Sequence, residues 1–162
     1  MISIHVIKNV KTTIKDKFLR YVLKNDQYTA RIGGVSKTNF FLNCYDDELV
    51  KLYRKNIEPI LKNHINNNFK MNCIWYQIYL KNSGSYHDFH THGREDCHLS
   101  AVYYLKLKDK NISTEFRVNN QRIKLDISEG DLVLFDASIP HSSPPNNTDE
   151  DKVIVSFNLD CR

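Results

Sequence analysis

The stretches CIWYQIYL (73–80), LSAVYYLKL (99–107), TEFRV (114–118), RIKLDI (122–127), DLVLFD (131–136) and KVIVSFNL (152–159) decide how this chain folds. Each is short and rich in β-branched and aromatic residues, which suit a pleated, half-buried surface. Between them lie Asn82-Ser83-Gly84, Asn119-Asn120, Glu129-Gly130 and Pro144-Pro145-Asn146-Asn147, all combinations that favour turns. Short strands at this spacing predict an all-β sandwich or barrel. The last stretch is apolar on both faces and is expected to be buried on both.

The first 70 residues have a different texture. Residues 2–7 (ISIHVI) read as a short strand. A helix is expected over about 13–25, with Thr13 as its cap, Asp16 three residues on, and Ile14, Phe18, Tyr21 and Val22 on one face. Residues 28–42, with Gly33-Gly34 between apolar stretches, read as strand, turn and strand. A second helix is expected over 47–66, opened by Asp46 or Asp47, with Leu49, Leu52, Tyr53, Ile57, Ile60 and Leu61 as its buried stripe. Pro59 inside that pattern should kink or split it. No Pro/Gly/Ser-rich linker separates the halves. The chain therefore reads as one domain over 1–162, with 1–70 supplying supporting strands and helices and 71–162 the barrel core.

Composition narrows the classes. The 162 residues are 41% hydrophobic and 26% charged, with a formal net charge of +4, which suits a water-soluble globule. Lysines are scattered rather than blocked, so nucleic-acid binding is not indicated. Cys44, Cys73, Cys97 and Cys161 form no CxxC pair and read as reduced thiols of a cytoplasmic compartment. MISIHVIKNVK lacks a long apolar core, so no signal peptide is expected, and no apolar run is long enough for a membrane span. Nothing in the pattern speaks to oligomeric state.

Of seven histidines, four fall at His87, His90, His92 and His98. His90 and His92 are two residues apart. On an extended strand such side chains project from one face and can converge on one ion; on a helix they would diverge. His141 is the best candidate for a third ligand. It follows the strand DLVLFD in what reads as an exposed turn, Ser138-Ile139-Pro140-His141. A barrel pairing the strand after the histidine pair with the strand before His141 would bring the three together. Three protein ligands on one side of a metal leave other positions open. The competing reading is a solvated loop with incidental histidines. Lys152 opens the doubly buried last strand. It either snorkels to water from the strand end or meets an anion, such as a dicarboxylate, inside the barrel.

Gly84-Ser85-Tyr86-His87-Asp88-Phe89-His90-Thr91-His92, Leu99-Ser100-Ala101-Val102-Tyr103-Tyr104-Leu105, Gly130-Asp131-Leu132-Val133-Leu134-Phe135, His141, and Lys152-Val153-Ile154-Val155-Ser156-Phe157-Asn158 together resemble the iron(II)/2-oxoglutarate-dependent oxygenases. The likeness is to a family of bacterial and phage oxygenases and, more distantly, to the prolyl-hydroxylase group. It covers about residues 74–160. It implies a mainly β fold with supporting helices, a double-stranded β-helix (a jelly-roll, cupin-like barrel). It implies iron(II) held by His90, His92 and His141, with 2-oxoglutarate and O2 as cosubstrates and ascorbate as a reductant that helps. Lys152 would bind the far carboxylate of 2-oxoglutarate, where relatives often have Arg. Tyr104 and Tyr79 match tyrosines that relatives place near the cosubstrate, and Ser156 would share a face with Lys152. The implied activity is hydroxylation of a small-molecule or peptidyl substrate, peptidyl proline among them, coupled to decarboxylation of 2-oxoglutarate.

The chain departs from that family at His92, where most members carry Asp or Glu. Either the site is all-histidine, or Asp88, Glu95 or Asp96 takes the carboxylate's place. His87 and His98 read as supporting or surface residues. The loop 93–98 is longer than in relatives and would sit at the pocket mouth. Two rival readings follow: a three-histidine, cupin-like dioxygenase or isomerase that uses no 2-oxoglutarate, and a non-catalytic barrel that binds a partner.

Overall fold

The computed structural model describes residues 4–27, 34–40, 46–93 and 97–161. Its strands are β1 (Ile4–Ile7), β2 (Lys37–Thr38), β3 (Phe69–Tyr79), β4 (Ser85–His90), β5 (Leu99–Lys106), β6 (Glu115–Val118), β7 (Gln121–Lys124), β8 (Leu132–Asp136), β9 (His141–Asn146) and β10 (Lys152–Cys161). Helices α1 (Thr12–Lys24), α2 (Asp47–Asn56) and α3 (Glu58–Leu61) precede the long strands, and a 3₁₀ turn spans Lys110–Ile112. The strands form a six-stranded major sheet, in the order β1-β8-β5-β10-β3-β2, and a four-stranded minor sheet, β4-β9-β6-β7. All pairings are antiparallel. Two facing sheets with this order are the jelly-roll barrel expected from the resemblance.

Strand alternation explains why the major sheet is buried on both faces. In β10, Val153, Val155 and Phe157 join the cluster under the helices with Phe18, Leu49 and Tyr53, whereas Ile154, Ser156 and Asn158 face the interior between the sheets. β3 divides likewise: Ile74, Tyr76 and Ile78 go to the helices, and Trp75, Gln77 and Tyr79 to the interior. Each face is therefore apolar for its own reason, and the sequence reads as a continuous apolar run.

The helices follow the expected register with two adjustments. Asp46 caps α2, its side chain accepting from the backbone N–H groups of Glu48 and Leu49. Pro59 stands in the first turn of α3, where its missing N–H costs nothing, so the expected 47–66 helix is split and ends at Leu61. Thr13 does not cap α1; the helix begins at Thr12 after Lys11, with no side-chain cap bond. Asn119 and Asn120 both have positive φ, 51° and 61°, and close the β6–β7 hairpin. Two expected turns are strand instead: β9 starts at His141 and runs through Pro144-Pro145-Asn146. The expected strand-turn-strand over 28–42 lies largely outside the described residues, apart from β2, and so does Cys44. Cys73 and Cys97 are buried, and Cys161 is half-buried. No helix among the described residues is long and apolar enough to cross a membrane.

Candidate metal centre

β4 and β9 lie side by side, and His90 sits directly opposite His141 in their register. The pairing that the sequence pattern asked for, the strand after the histidine pair against the strand before His141, is present as β5 against β8. His92 follows β4, and its backbone N–H donates to the Ala137 carbonyl at 2.9 Å, tying the segment to the turn after β8. The rings of His90 and His141 are 4.2 Å apart, those of His92 and His141 5.2 Å, and those of His90 and His92 5.4 Å. One nitrogen from each of the three comes within 4.8 Å of the others. His141 is 6% exposed, so it stands at the buried start of a strand and not in an exposed turn.

Backbone carbonyls orient two of these rings. His90 Nδ1 lies 2.8 Å from the Asp88 carbonyl, and His141 Nδ1 lies 2.9 Å from that of Ile139. A carbonyl only accepts, so Nδ1 carries the proton in both, and Nε2 keeps its lone pair for a metal. Burial, reinforced by the neighbouring imidazoles, pushes His141 down to about 3. Burial lowers His90 as well, against the pull of its carbonyl bond. The rings are thus held neutral, the form that binds metal.

Of the two roles the sequence left open for His87, supporting or surface, the structure shows the supporting one. Positions 87 and 90 would face opposite ways on a regular strand, but the β4–β9 register shifts between them, and both rings reach the interior. His87 stacks on His90 at 4.0 Å with a 24° interplanar angle, and its Nδ1 lies 3.5 Å from Gln77 Nε2. Burial and the adjacent imidazoles lower it to about 4. An irregular pairing leaves no mark in the pattern of residue types. His98 lies apart, its Nδ1 2.8 Å from an Asp160 carboxylate oxygen, beside a separate groove.

The histidines line a cavity of about 260 Å³ between the sheets, together with Trp75, Gln77, Tyr79, Thr114, Ser143, Ser156 and Asn158. Lys152 is 1% exposed and does not snorkel to water. Its ammonium stands one layer behind the wall, donating to the Ser143 hydroxyl at 2.8 Å and the Ile112 carbonyl at 2.6 Å. It sits 4.8 Å from the centre of the Tyr79 ring, its partner across the β3–β10 register, and 5.9 Å from that of Tyr104. No carboxylate pairs with it among the described residues, and burial lowers it to about 7. Tyr79 and Ser156 line the cavity, whereas the Tyr104 hydroxyl is taken up by Thr114, whose backbone N–H donates to it at 3.0 Å. Burial raises both phenols, Tyr104 to about 12, so they stay protonated.

The alternatives for the missing acid divide. The Asp88 side chain is exposed, and it is the backbone carbonyl that meets His90. Glu95 and Asp96 lie outside the described residues. No carboxylate lines the cavity among the described residues.

This barrel is the double-stranded β-helix shared by a set of 2-oxoglutarate-binding enzymes of known structure. HygX from Streptomyces hygroscopicus, solved with nickel and 2-oxoglutarate bound, matches with a TM-score of 0.74 at 11% identity, over 98% of this chain and 83% of HygX. A prolyl hydroxylase from Trichoplax adhaerens, in complex with a hypoxia-inducible-factor peptide fragment, matches at 0.70 and 16%, over 97% and 83%. The collagen prolyl hydroxylase of Paramecium Bursaria Chlorella virus-1, as its 2-oxoglutarate complex, matches at 0.66 and 14%, over 96% and 94%. These likenesses establish the fold. No family model and no curated protein matches the chain in sequence.

Proposed function

We propose that this protein is an iron(II)- and 2-oxoglutarate-dependent oxygenase, acting as a hydroxylase. The observation that carries the reading is the convergence of His90, His92 and His141, within 4.8 Å, on one wall of a cavity with the buried Lys152 behind it, which meets no carboxylate among the described residues. The donor set fits the metal: imidazole nitrogens with free lone pairs suit iron, and three on one side leave the other positions open.

In this reading His90, His92 and His141 hold the ion. Lys152 draws the far carboxylate of 2-oxoglutarate toward the Ser143 end, where Tyr79 and Ser156 complete the pocket. Tyr104 acts through Thr114. A buried ammonium without an anion is costly, and a cosubstrate carboxylate relieves that cost. Lysine is a point charge and not a fork, so the Ser143 and Tyr79 hydroxyls take over the orienting part that arginine's second N–H would play. Iron with 2-oxoglutarate and O2 supplies the oxidising chemistry, and ascorbate keeps the iron reduced. The chain's own contribution is to position the ligands, exclude water and keep the imidazoles neutral. Related folds hold a peptide in one case and hygromycin B in another, which supports either a peptidyl or a small-molecule substrate here.

Thermal unfolding with iron(II) and ascorbate, with and without millimolar 2-oxoglutarate, tests the reading. A rise in melting temperature that needs both metal and cosubstrate is expected; no rise with either counts against it. The all-nitrogen ligand set also favours a second reading, a three-histidine metalloenzyme that uses no 2-oxoglutarate. Lys152→Ala separates the two: it abolishes cosubstrate binding in the first and leaves metal-dependent activity intact in the second.

A further inference from the structure

The outer face of the minor sheet carries a group of cations that the oxygenase reading does not use. Phe116 on β6 and Ile123 on β7 turn inward to the core, so alternation turns Glu115, Arg117, Arg122 and Lys124 outward. In the hairpin register Arg117 stands directly opposite Arg122, and Glu115 opposite Lys124. The Glu115 carboxylate is shared, 2.9 Å from the Lys124 ammonium and 3.7 Å from the Arg122 guanidinium. Both guanidiniums lie over the ring of Phe89 on β4, at 4.2 Å for Arg117 and 5.4 Å for Arg122. Like charges directly opposite one another in a sheet are destabilising. Cation–π attraction to the half-buried ring holds the pair there, and a carboxylate beside them is drawn by both.

β7 is also the last strand of its sheet, in the order β4-β9-β6-β7, and among the described residues it pairs with β6 alone. Its other edge offers a row of backbone N–H and C=O groups to a further strand. Charged side chains on an edge are a common guard against aggregation, and Lys124 fits that role. A guard does not require two arginines facing each other over one aromatic ring. Along β7 the side chains of Arg122 and Lys124 are 68% and 49% exposed, and Ile123 between them is half-buried against the core. A second copy of this chain adding its own β7 would set these cations against the same cations. A nucleic acid would meet the guanidiniums and leave the strand edge unpaired, since only a polypeptide backbone reciprocates it.

We propose that β7 docks an extended acidic segment of a partner polypeptide by strand addition. Acidic residues at alternate positions of that segment face Arg122 and Lys124, and a β-branched residue between them packs on the Ile123 side. The acid opposite Arg122 also answers the charge of Arg117. Arg117 follows Phe116, which pairs with His141, and Phe89 precedes His90 on β4, so the docked segment lies against the outer side of the sheet that carries these histidines. The docking needs neither metal nor cosubstrate and stands apart from the oxygenase reading.

The test is fluorescence anisotropy of labelled peptides with the full chain, without added metal. The peptide TEVEVT places its acids at alternate positions, TVEEVT has the same composition with the acids adjacent, and TKVKVT reverses the charge. TEVEVT should bind the tightest of the three, and methylation of its backbone nitrogens should abolish binding. Arg122→Glu should weaken TEVEVT by about tenfold and Arg122→Gln by about threefold, the scale of exposed ion pairs lost or reversed. The Gln variant serves alone if the Glu variant disturbs the hairpin, as circular dichroism would show. Equal binding of TEVEVT, TVEEVT and the methylated peptide reduces the patch to plain charge attraction and overturns strand addition. A short oligothymidylate that binds more tightly than TEVEVT, and weakens likewise in Arg122→Gln, assigns the face to nucleic acid and overturns the peptide partner. No binding of TEVEVT at millimolar concentration, or binding unchanged in both Arg122 variants, overturns the proposal outright.

Discussion

The two sheets of the barrel divide the work. Strands β3, β5, β8 and β10 of the major sheet carry the core on both faces. Strands β4 and β9 of the minor sheet, SYHDFH and HSSPPN, are polar and short and include two prolines, yet they bring His87, His90 and His141 into the cavity. The apolar core is concentrated on one wall and the histidine cluster on the other. The major sheet also gives the cavity polar groups, Tyr79 and Ser156 among them, and Lys152, at the start of a major-sheet strand, reaches Ser143 on the minor sheet.

Truncation on each wall is the strongest way to break this contrast. Phe157 is 1% exposed and packs edge-on against Tyr53 at 5.1 Å. Phe157→Ala should cost about 3–5 kcal/mol in urea unfolding, and metal binding should go with the fold. His141→Ala on the minor sheet should change metal-free stability by only about 1 kcal/mol, the net value of one hydrogen bond, while abolishing stabilisation by metal. If the two substitutions cost the same without metal, the division between walls is wrong.

Lys152→Met sharpens the contrast where the walls meet. The folded value of Lys152, about 7, lies below its ordinary value of 10.5. The unfolded chain therefore holds the proton more tightly, and the cost of burial is full below pH 7, shrinks as pH rises from about 7 to 10.5, and is gone above that. Metal-free protein should gain stability across that window, and Lys152→Met should flatten the slope measured by denaturant titration at successive pH values. The same variant should lose the melting shift given by 2-oxoglutarate.

The minor-sheet histidines give a signature of the same sign at lower pH. His141, at about 3, and His87, at about 4, are depressed from the ordinary 6.5. Their contribution to stability is full above 6.5 and is lost as pH falls through 4 to 3. His87→Asn should make the decline in metal-free stability below pH 6.5 shallower. A decline identical in the variant would place the acid sensitivity elsewhere.

The smallest effect belongs to the helical layer. Asp46→Ala removes the cap of α2 and should cost about 1 kcal/mol, with metal affinity unchanged.

The same division governs what the sequence made legible. Strands buried on both faces must be apolar throughout, so β3, β5, β8 and β10 stood out as runs, and the α2 stripe and Pro59 announced the helical layer. β4 and β9 turn histidines and serines toward the cavity, so no apolar run marks them, and Pro144-Pro145 read as a turn. That His90, His92 and His141 come together was still legible, because two residues at strand spacing and a histidine after DLVLFD are visible without knowing the strands around them. Which of its two roles His87 takes was not legible, since the register shift that turns it inward is a property of the pairing with β9. That Lys152 does not snorkel was equally invisible, because it depends on Tyr79 and Tyr104 closing over it from other strands.

The most direct measurement is anaerobic equilibrium dialysis against iron(II), followed by elemental analysis, on the parent protein and on His90→Ala and His141→Ala. The expected result is one iron per chain in the parent and none in either variant, with the far-ultraviolet circular dichroism of all three alike. Iron retained by the folded variants, or none taken up by the parent, contradicts a centre built on these histidines.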